Sequence, residues 1–195
     1  MSEIKSEIRK RMRALRDAAP AQLRAEWSHR ICARATQLPA YRAARTVHLF
    51  LAFQSEVDTT AIIEDALRAG KRVVAPVFVK GSDETPATEI ISLADSEFIF
   101  GKWGLRAPRH LRLVPLDEID LVFVPLVAYS PFSAAEGGQR WRRVGYGAGF
   151  YDLFLARLRP HVLKIGLAFA LQRADHIPIE LHDVLLDDVI TEQER

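Results

Sequence analysis

The chain has 195 residues, 49% hydrophobic, 27% charged and 9% aromatic, enough apolar material for one sizeable core and a single domain spanning 1–195. Its 27 lysines and arginines nearly balance 25 acidic residues, for a formal charge of +2, which argues against bulk electrostatic binding of nucleic acid. One cysteine, Cys32, excludes an intramolecular disulfide framework or a cysteine-clustered metal site within the chain and fits a reducing, cytoplasmic setting; no apolar run approaches the roughly 18–20 residues that span a bilayer, and no signal-peptide apolar region opens the chain.

Ile4, Ile8, Met12 and Leu15 recur at helical spacing and predict an opening helix that fades before Pro20. Leu23, Trp27, Ile31 and Leu38 predict a second helix, begun at Pro20 and ended near Pro39. Thr46 to Phe53 is rich in β-branched and aromatic residues without a helical gap, as expected of a strand covered on both faces. Asp58 or Thr59 can cap a helix carrying Ile62, Ile63, Ala66 and Leu67, which Gly70 ends before a strand from Arg72 to Val79. This strand–helix–strand unit implies a parallel sheet. Thr88 to Leu93 reads as an edge strand of opposite sense, Gly101 to Pro115 as a surface loop, Ile119 to Ala128 as a buried strand, and Ser130 to Gly149 as another loop. Phe150 to Leu158 reads as a helix, Val162 to Phe169 as a strand, and Val184 to Thr191 as a last one. The alternation predicts a three-layer α/β/α fold with a mostly parallel sheet and helices on both faces, whose ligands sit beyond the carboxyl ends of the strands.

The segment Arg140 to Asp152 carries three arginines followed by Gly145, Gly147 and Gly149. Alternate glycines let backbone N–H groups approach phosphate oxygens without Cβ obstruction, just before a predicted helix. The same composition also describes a flexible turn with solvated arginines. It is not a Walker A loop, and its glycine spacing is one short of the dinucleotide fingerprint. Asp152 can favour the helix dipole or hold Mg²⁺ beside bound phosphate. Lys5, Arg9, Arg13 and Arg16 form a basic ridge one residue out of phase with the apolar stripe, able either to reach phosphate or to remain solvated. Glu56 lies two residues too early to cap the helix after it, so it is available to orient a polar heteroaromatic ligand. Phe53, Trp103, Phe150 and Tyr151 can stack on a planar ligand or belong to the core. His176 and His182, each beside an aspartate, read as structural, because neighbours on an extended chain diverge.

Together these segments resemble the 5-formyltetrahydrofolate cyclo-ligase (methenyltetrahydrofolate synthetase) family. The resemblance runs through Lys5 and Arg9, Phe53 to Thr59, Gly70 to Pro76, Trp103 to Leu105, Asp120 to Pro125, Arg143 to Asp152, and Gly166 to Phe169, then Gln172, Pro178, Asp183 and Ile190–Thr191. It implies a fold similar to the ribose-phosphate isomerase and CoA-transferase group, and an ATP- and Mg²⁺-dependent cyclisation of 5-formyltetrahydrofolate to 5,10-methenyltetrahydrofolate, with ADP and phosphate as the other products. By matched position, Lys5, Arg9 and Arg143 look like catalytic phosphate contacts. Gly145, Tyr146, Gly147, Ala148 and Gly149 look like the ATP loop, Asp152 like the Mg²⁺ carboxylate, and Phe53, Glu56, Trp103, Phe150 and Tyr151 like the folate side. The implied partner is the folate, with or without a polyglutamate tail, bound by a monomer or weak homodimer. Ala107, Ser130, Leu153 and a long segment from Pro131 to Arg142 depart from the family's usual pattern, so a divergent ATP- or folate-binding paralogue is the second reading.

Overall fold

The computed structural model describes residues 3–77, 85–94, 97–100, 106–133 and 138–193. Three helices open the chain: α1 (Glu3–Ala18), α2 (Ala21–Gln37) and the short α3 (Pro39–Ala43). Proline explains both joints, since Pro20 caps α2 and Pro39 stands at the first position of α3. Strand β1 (Thr46–His48), helix α4 (Thr60–Arg68) and strand β2 (Arg72–Pro76) form the expected unit. Asp58 accepts the Thr60 N–H at 3.0 Å, while the buried Thr59 hydroxyl donates to the Phe50 carbonyl at 2.6 Å. Gly70, at φ +70, turns the chain out of α4 and into β2.

Further strands are β3 (Ala87–Ile90), β4 (Phe98–Phe100), β5 (Arg106–Pro108), β6 (Leu113–Val114), β7 (Leu121–Pro125), β8 (Ala128–Ser133), β9 (Gln139–Val144), β10 (Leu163–Leu167) and β11 (Asp188–Ile190), with helix α5 (Phe150–Ala156) between β9 and β10. The main sheet has the order β11-β10-β7-β1-β2-β3-β6. It is parallel from β11 to β2 and antiparallel beyond. Strand β3 runs opposite to β2 as expected, but β6 pairs outside it, so β3 is not the edge.

Strand alternation divides the core. Val47, Leu49, Val73, Phe123 and Ile165 face one apolar cluster with α2 and α4, while Val74, Val122, Val124 and Val189 face another with Phe154 and Leu155 of α5 and Trp141 of β9. The fold is therefore the expected layered α/β arrangement with a mostly parallel sheet. The second face carries the short helix α5, so helices lie on both faces as expected, together with a β-hairpin. That hairpin, β8 with β9, occupies most of the predicted Ser130–Gly149 loop and ends the supposed Ile119–Ala128 strand at Pro125. Its sequence misled because the strand faces carry Arg140, Arg142 and Arg143 where a half-buried strand usually carries apolar residues. The long segment 131–142 is largely the arms of this hairpin. No helix among the described residues is long and apolar enough to cross a membrane.

His48 is fully buried on β1, with its ring 4.5 Å from Phe154 and 5.9 Å from Tyr151. Burial pushes its pKa down to about 3, so the native imidazole stays neutral across the range in which an unfolded histidine protonates near 6.5. Between about pH 6 and pH 4 the unfolded chain takes up a proton that the native chain refuses, which costs about 1.4 kcal/mol of stability per pH unit on acidification. In chemical denaturation at several pH values, His48→Phe should show a shallower loss of stability than wild type over that window, by about this slope, whatever the packing change does to the absolute value.

Candidate active site

A cavity of about 580 Å³ opens at the carboxyl edge of the parallel strands. Phe50, Leu51, Phe53 and Glu56 reach it after β1, Ala75 and Pro76 from the end of β2, and Pro125 from the end of β7. Because β2 and β7 flank β1 on opposite sides, successive connections leave in opposite directions here and open a crevice. The turn from Gly145 to Gly149 and the start of α5 form another wall, Lys5 and Arg9 of α1 a third, and Glu180, His182 and Asp183 a fourth.

The glycine turn takes its shape from Gly147 at φ +103 and Gly149 at φ +71, conformations that side-chain-bearing residues rarely adopt. Arg9 ties α1 to it by donating from Nε to the Gly145 carbonyl at 2.8 Å. Lys5 Nζ is held at 3.0 Å from Glu180 Oε2 and 2.5 Å from Asp183 Oδ2. Thus Lys5, Arg9 and the glycine turn share one cavity, with Lys5 facing carboxylates from late in the chain and Arg9 bonded to the turn.

Arg143 is buried and pairs with Asp152 at 2.6 Å; the same carboxylate oxygen accepts the Val184 N–H at 3.2 Å. Burial pulls the Arg143 guanidinium pKa down, and the neighbouring Asp152 and Asp183 carboxylates pull it back up. Its Nε and the Tyr151 hydroxyl are buried without a hydrogen-bond acceptor or donor among the described residues. Two buried polar groups left in this state beside a cavity fit an anionic or polar ligand that completes them.

Glu56 stands on a tight turn. Its backbone N–H donates to the Phe53 carbonyl at 3.2 Å, and its own carboxylate accepts the Phe53 N–H at 2.9 Å. Between them Gln54 adopts φ +55, the left-handed region that costs a non-glycine residue about 1–2 kcal/mol. Burial raises the Glu56 pKa above the ordinary carboxylate range, opposed by the Phe53 N–H, the Tyr146 hydroxyl and the Arg16 charge.

The basic ridge of α1 is not solvated. Lys5 is 5% and Arg16 1% exposed, whereas Ile4 and Leu15 of the apolar stripe are 57% and 45% exposed. The helix docks on Lys5, Met12 and Arg16, with Ile8 and Arg9 half-buried, because it meets carboxylates, carbonyls and hydroxyls beside an apolar cluster of Val127, Ala128, Val144, Ala174 and Ile177.

The sequence pattern of the 5-formyltetrahydrofolate cyclo-ligase family matches residues 1–192. The chain belongs to that family. It is 32% identical over 190 residues to the 5-formyltetrahydrofolate cyclo-ligase of Escherichia coli K12, covering 94% of this chain and 96% of that one. It is 28% identical over 207 residues to a probable 5-formyltetrahydrofolate cyclo-ligase of Caenorhabditis elegans, covering 100% and 95%. The solved structure of Aquifex aeolicus 5,10-methenyltetrahydrofolate synthetase superposes with a TM-score of 0.79 at 26% identity, covering 98% of this chain and 91% of that one.

Among the residues expected from sequence, Lys5, Arg9, Phe53, Glu56, Arg143, the turn from Gly145 to Gly149, Phe150, Tyr151 and Asp152 all line the cavity. Trp103 lies outside the described residues. His182, expected to be structural, stands with Glu180 and Asp183 on the cavity wall, their ligand atoms within 4.8 Å of one another; only folding brings this stretch to α1, 178 residues away. Ser130 does not end the buried β7 strand: it is buried within the β8–β9 hairpin opposite Arg142 and does not line the cavity, nor does the exposed Leu153. Phe50, in the expected first strand, and Arg106, in the expected Gly101–Pro115 loop, also line the cavity, and neither carries a local signal for it.

A β-branched residue tolerates the left-handed region worse than glutamine does. Gln54→Val should therefore lower unfolding stability by about 1–2 kcal/mol, read from denaturant midpoints at unchanged m-value.

Proposed function

We infer that this chain is an ATP-dependent cyclo-ligase that converts 5-formyltetrahydrofolate, with or without a polyglutamate tail, into 5,10-methenyltetrahydrofolate, releasing ADP and phosphate. The observation that carries this reading is the shared cavity: the cations of α1, the glycine turn and buried Arg143 border one end, while Phe50, Phe53, Glu56, Phe150 and Tyr151 supply aromatic faces and one carboxylate. Such a lining suits a polyanion placed beside a planar, hydrogen-bonding ring system.

The residues present fit both implied groups. Backbone amides of the Gly145–Gly149 turn with Lys5, Arg9 and Arg143 suit a triphosphate, and the orphaned Arg143 Nε is a donor awaiting such an acceptor. Asp152, Asp183 and Glu180 are hard oxygen donors of the type that holds Mg²⁺. The bound nucleotide and its Mg²⁺ supply a phosphoryl group that turns the otherwise poor formyl oxygen into a leaving group, so that the neighbouring amine nitrogen can close the ring.

Positioning and charge neutralisation are the protein's share of such chemistry. Arg143, fixed by Asp152, is a preorganised cation that needs no reorientation as charge develops on the transferred group. Lys5 is held by Glu180 and Asp183. Glu56, anchored by the Phe53 N–H, accepts from the N–H edge of the pterin. The aromatic walls exclude water that would intercept the activated formyl group. Cys32 takes no part: it is buried, and its thiol is pushed up to about 12 by burial first and by Asp58 second. We place the reaction in a reducing, cytoplasmic setting, with the chain acting as a monomer or weak homodimer.

Purified protein given 5-formyltetrahydrofolate, ATP and Mg²⁺ should generate the methenyl chromophore, and omission of ATP or chelation of Mg²⁺ should stop it. Failure of the complete mixture to form the product would favour a paralogue that binds without cyclising. Arg143→Ala, with its circular dichroism retained, should turn over on the order of 10³ more slowly; a wild-type rate in that folded variant would remove Arg143 from the mechanism.

A further inference from the structure

Arg16 is the most deeply buried charge of the opening helix, and it does not line the cavity. Its Nε donates to the Ser55 hydroxyl at 3.0 Å and its Nη2 to the Tyr146 hydroxyl at 2.7 Å. Ser55 in turn donates to Asp17, so the local anion reaches Arg16 only through a hydroxyl. Ser55 precedes Glu56, and Tyr146 sits inside the glycine turn. One guanidinium therefore spans α1, the strained turn after β1 and the turn after β9.

We propose that Arg16 is a positioning residue for the folate end of the cavity, holding the Tyr146 hydroxyl and the Glu56 carboxylate in the arrangement that receives the pterin. This inference rests on the reading of Glu56 as the pterin acceptor and extends it to a residue that touches neither substrate.

The geometry leaves Arg16 little other purpose. Burying a guanidinium is costly unless its donors are satisfied, and a purely structural site would offer it a carboxylate directly. Instead two hydroxyls take its protons, and both belong to the elements that flank Glu56. Tyr146 is polarised in passing: its hydroxyl accepts from Arg16 and hydrogen-bonds Glu56. The Arg13 guanidinium, 5.7 Å from the Tyr146 ring centroid, further limits where the ring can swing.

The groups facing Glu56 are Arg16 from α1, the Phe53 N–H from its own turn, Tyr146 from the glycine turn and Tyr151 from α5. Burial favours the neutral carboxyl, while Arg16, Tyr146 and the Phe53 N–H favour the anion. Loss of Arg16 removes a stabiliser of the anion and loosens the hydroxyl that relays it. The neutral form then persists to higher pH, and the acid limb of folate capture moves upward. The triphosphate contacts include backbone amides of the glycine turn, which Arg9 also holds through the Gly145 carbonyl, so ATP capture should change less than folate capture.

The test is steady-state cyclisation by Arg16→Met, Arg16→Lys and Tyr146→Phe as a function of pH. Arg16→Met should raise KM for 5-formyltetrahydrofolate roughly tenfold and shift the acid limb of kcat/KM upward by about one pH unit, with the KM for ATP changed less than twofold. Arg16→Lys should recover part of the shift, and Tyr146→Phe, which removes only the relaying hydroxyl, should reproduce part of it in a chain whose buried arginine is intact. If Arg16→Met does not fold, the lysine and phenylalanine variants carry the test alone.

A double-mutant cycle separates the two inferences. Glu56→Gln alone tests the pterin reading, and a wild-type folate KM there overturns that reading. If Glu56→Gln impairs folate capture and adding Arg16→Met costs nothing more, Arg16 acts through Glu56. Full additivity of the two losses, or an unshifted acid limb in the folded Arg16 and Tyr146 variants, overturns the role of Arg16.

Discussion

A helix that buries a lysine and an arginine cannot dock where hydrophobic contact alone would put it. Desolvating Lys5 and Arg16 costs several kcal/mol per ion unless each finds acceptors, and those acceptors come from three distant stretches: Glu180 and Asp183, the Tyr146 hydroxyl, and Ser55. Exposing Ile4 and Leu15 is a small loss beside that requirement. The charged face of α1 therefore sets the helix's orientation, and with it the closure of the cavity on the side opposite the sheet.

The sheet supplies the remainder of the site. Parallel strands β1, β2 and β7 end at one edge, and the divergence of their connections leaves the crevice into which Phe50, Phe53, Pro76 and Pro125 project. Local strain is concentrated around it. Gln54 is the only side-chain-bearing residue at positive φ among the described residues, and it lies two residues before Glu56. Gly147 and Gly149 take similar backbone conformations at no steric cost on the facing turn. Orphaned donors at Arg143 and Tyr151 lie on the same wall. Strain and unsatisfied polar groups gathered in one place mark a surface shaped for a ligand rather than for stability.

Similarity along nearly the whole chain establishes the family. The arrangement of cations, carboxylates and aromatic faces explains why a chain of this family can bring a triphosphate and a pterin together. The departures at Ser130, Leu153 and the described residues of 131–142 fall in the hairpin and on an exposed helix face, outside the cavity lining.

Local sequence determined much of this protein. Proline and glycine punctuation placed the helix ends, β-branched runs placed the central strands, and the glycine–arginine segment pointed to the turn, because these signals act through residues close together in the chain. The β8–β9 hairpin escaped, since its strands carry arginines that only a partly buried, functional surface tolerates. The orientation of α1 also escaped, since both an apolar and a basic stripe ran along it and periodicity cannot say which one meets a partner. Glu180 had no local signature, Asp183 was marked only by the family resemblance, and His182 beside it read as structural. Which stripe is buried, and which carboxylates face which cations, depends on the free energy of pairing charges that the chain keeps up to 178 residues apart, and only the tertiary structure brings those groups within reach.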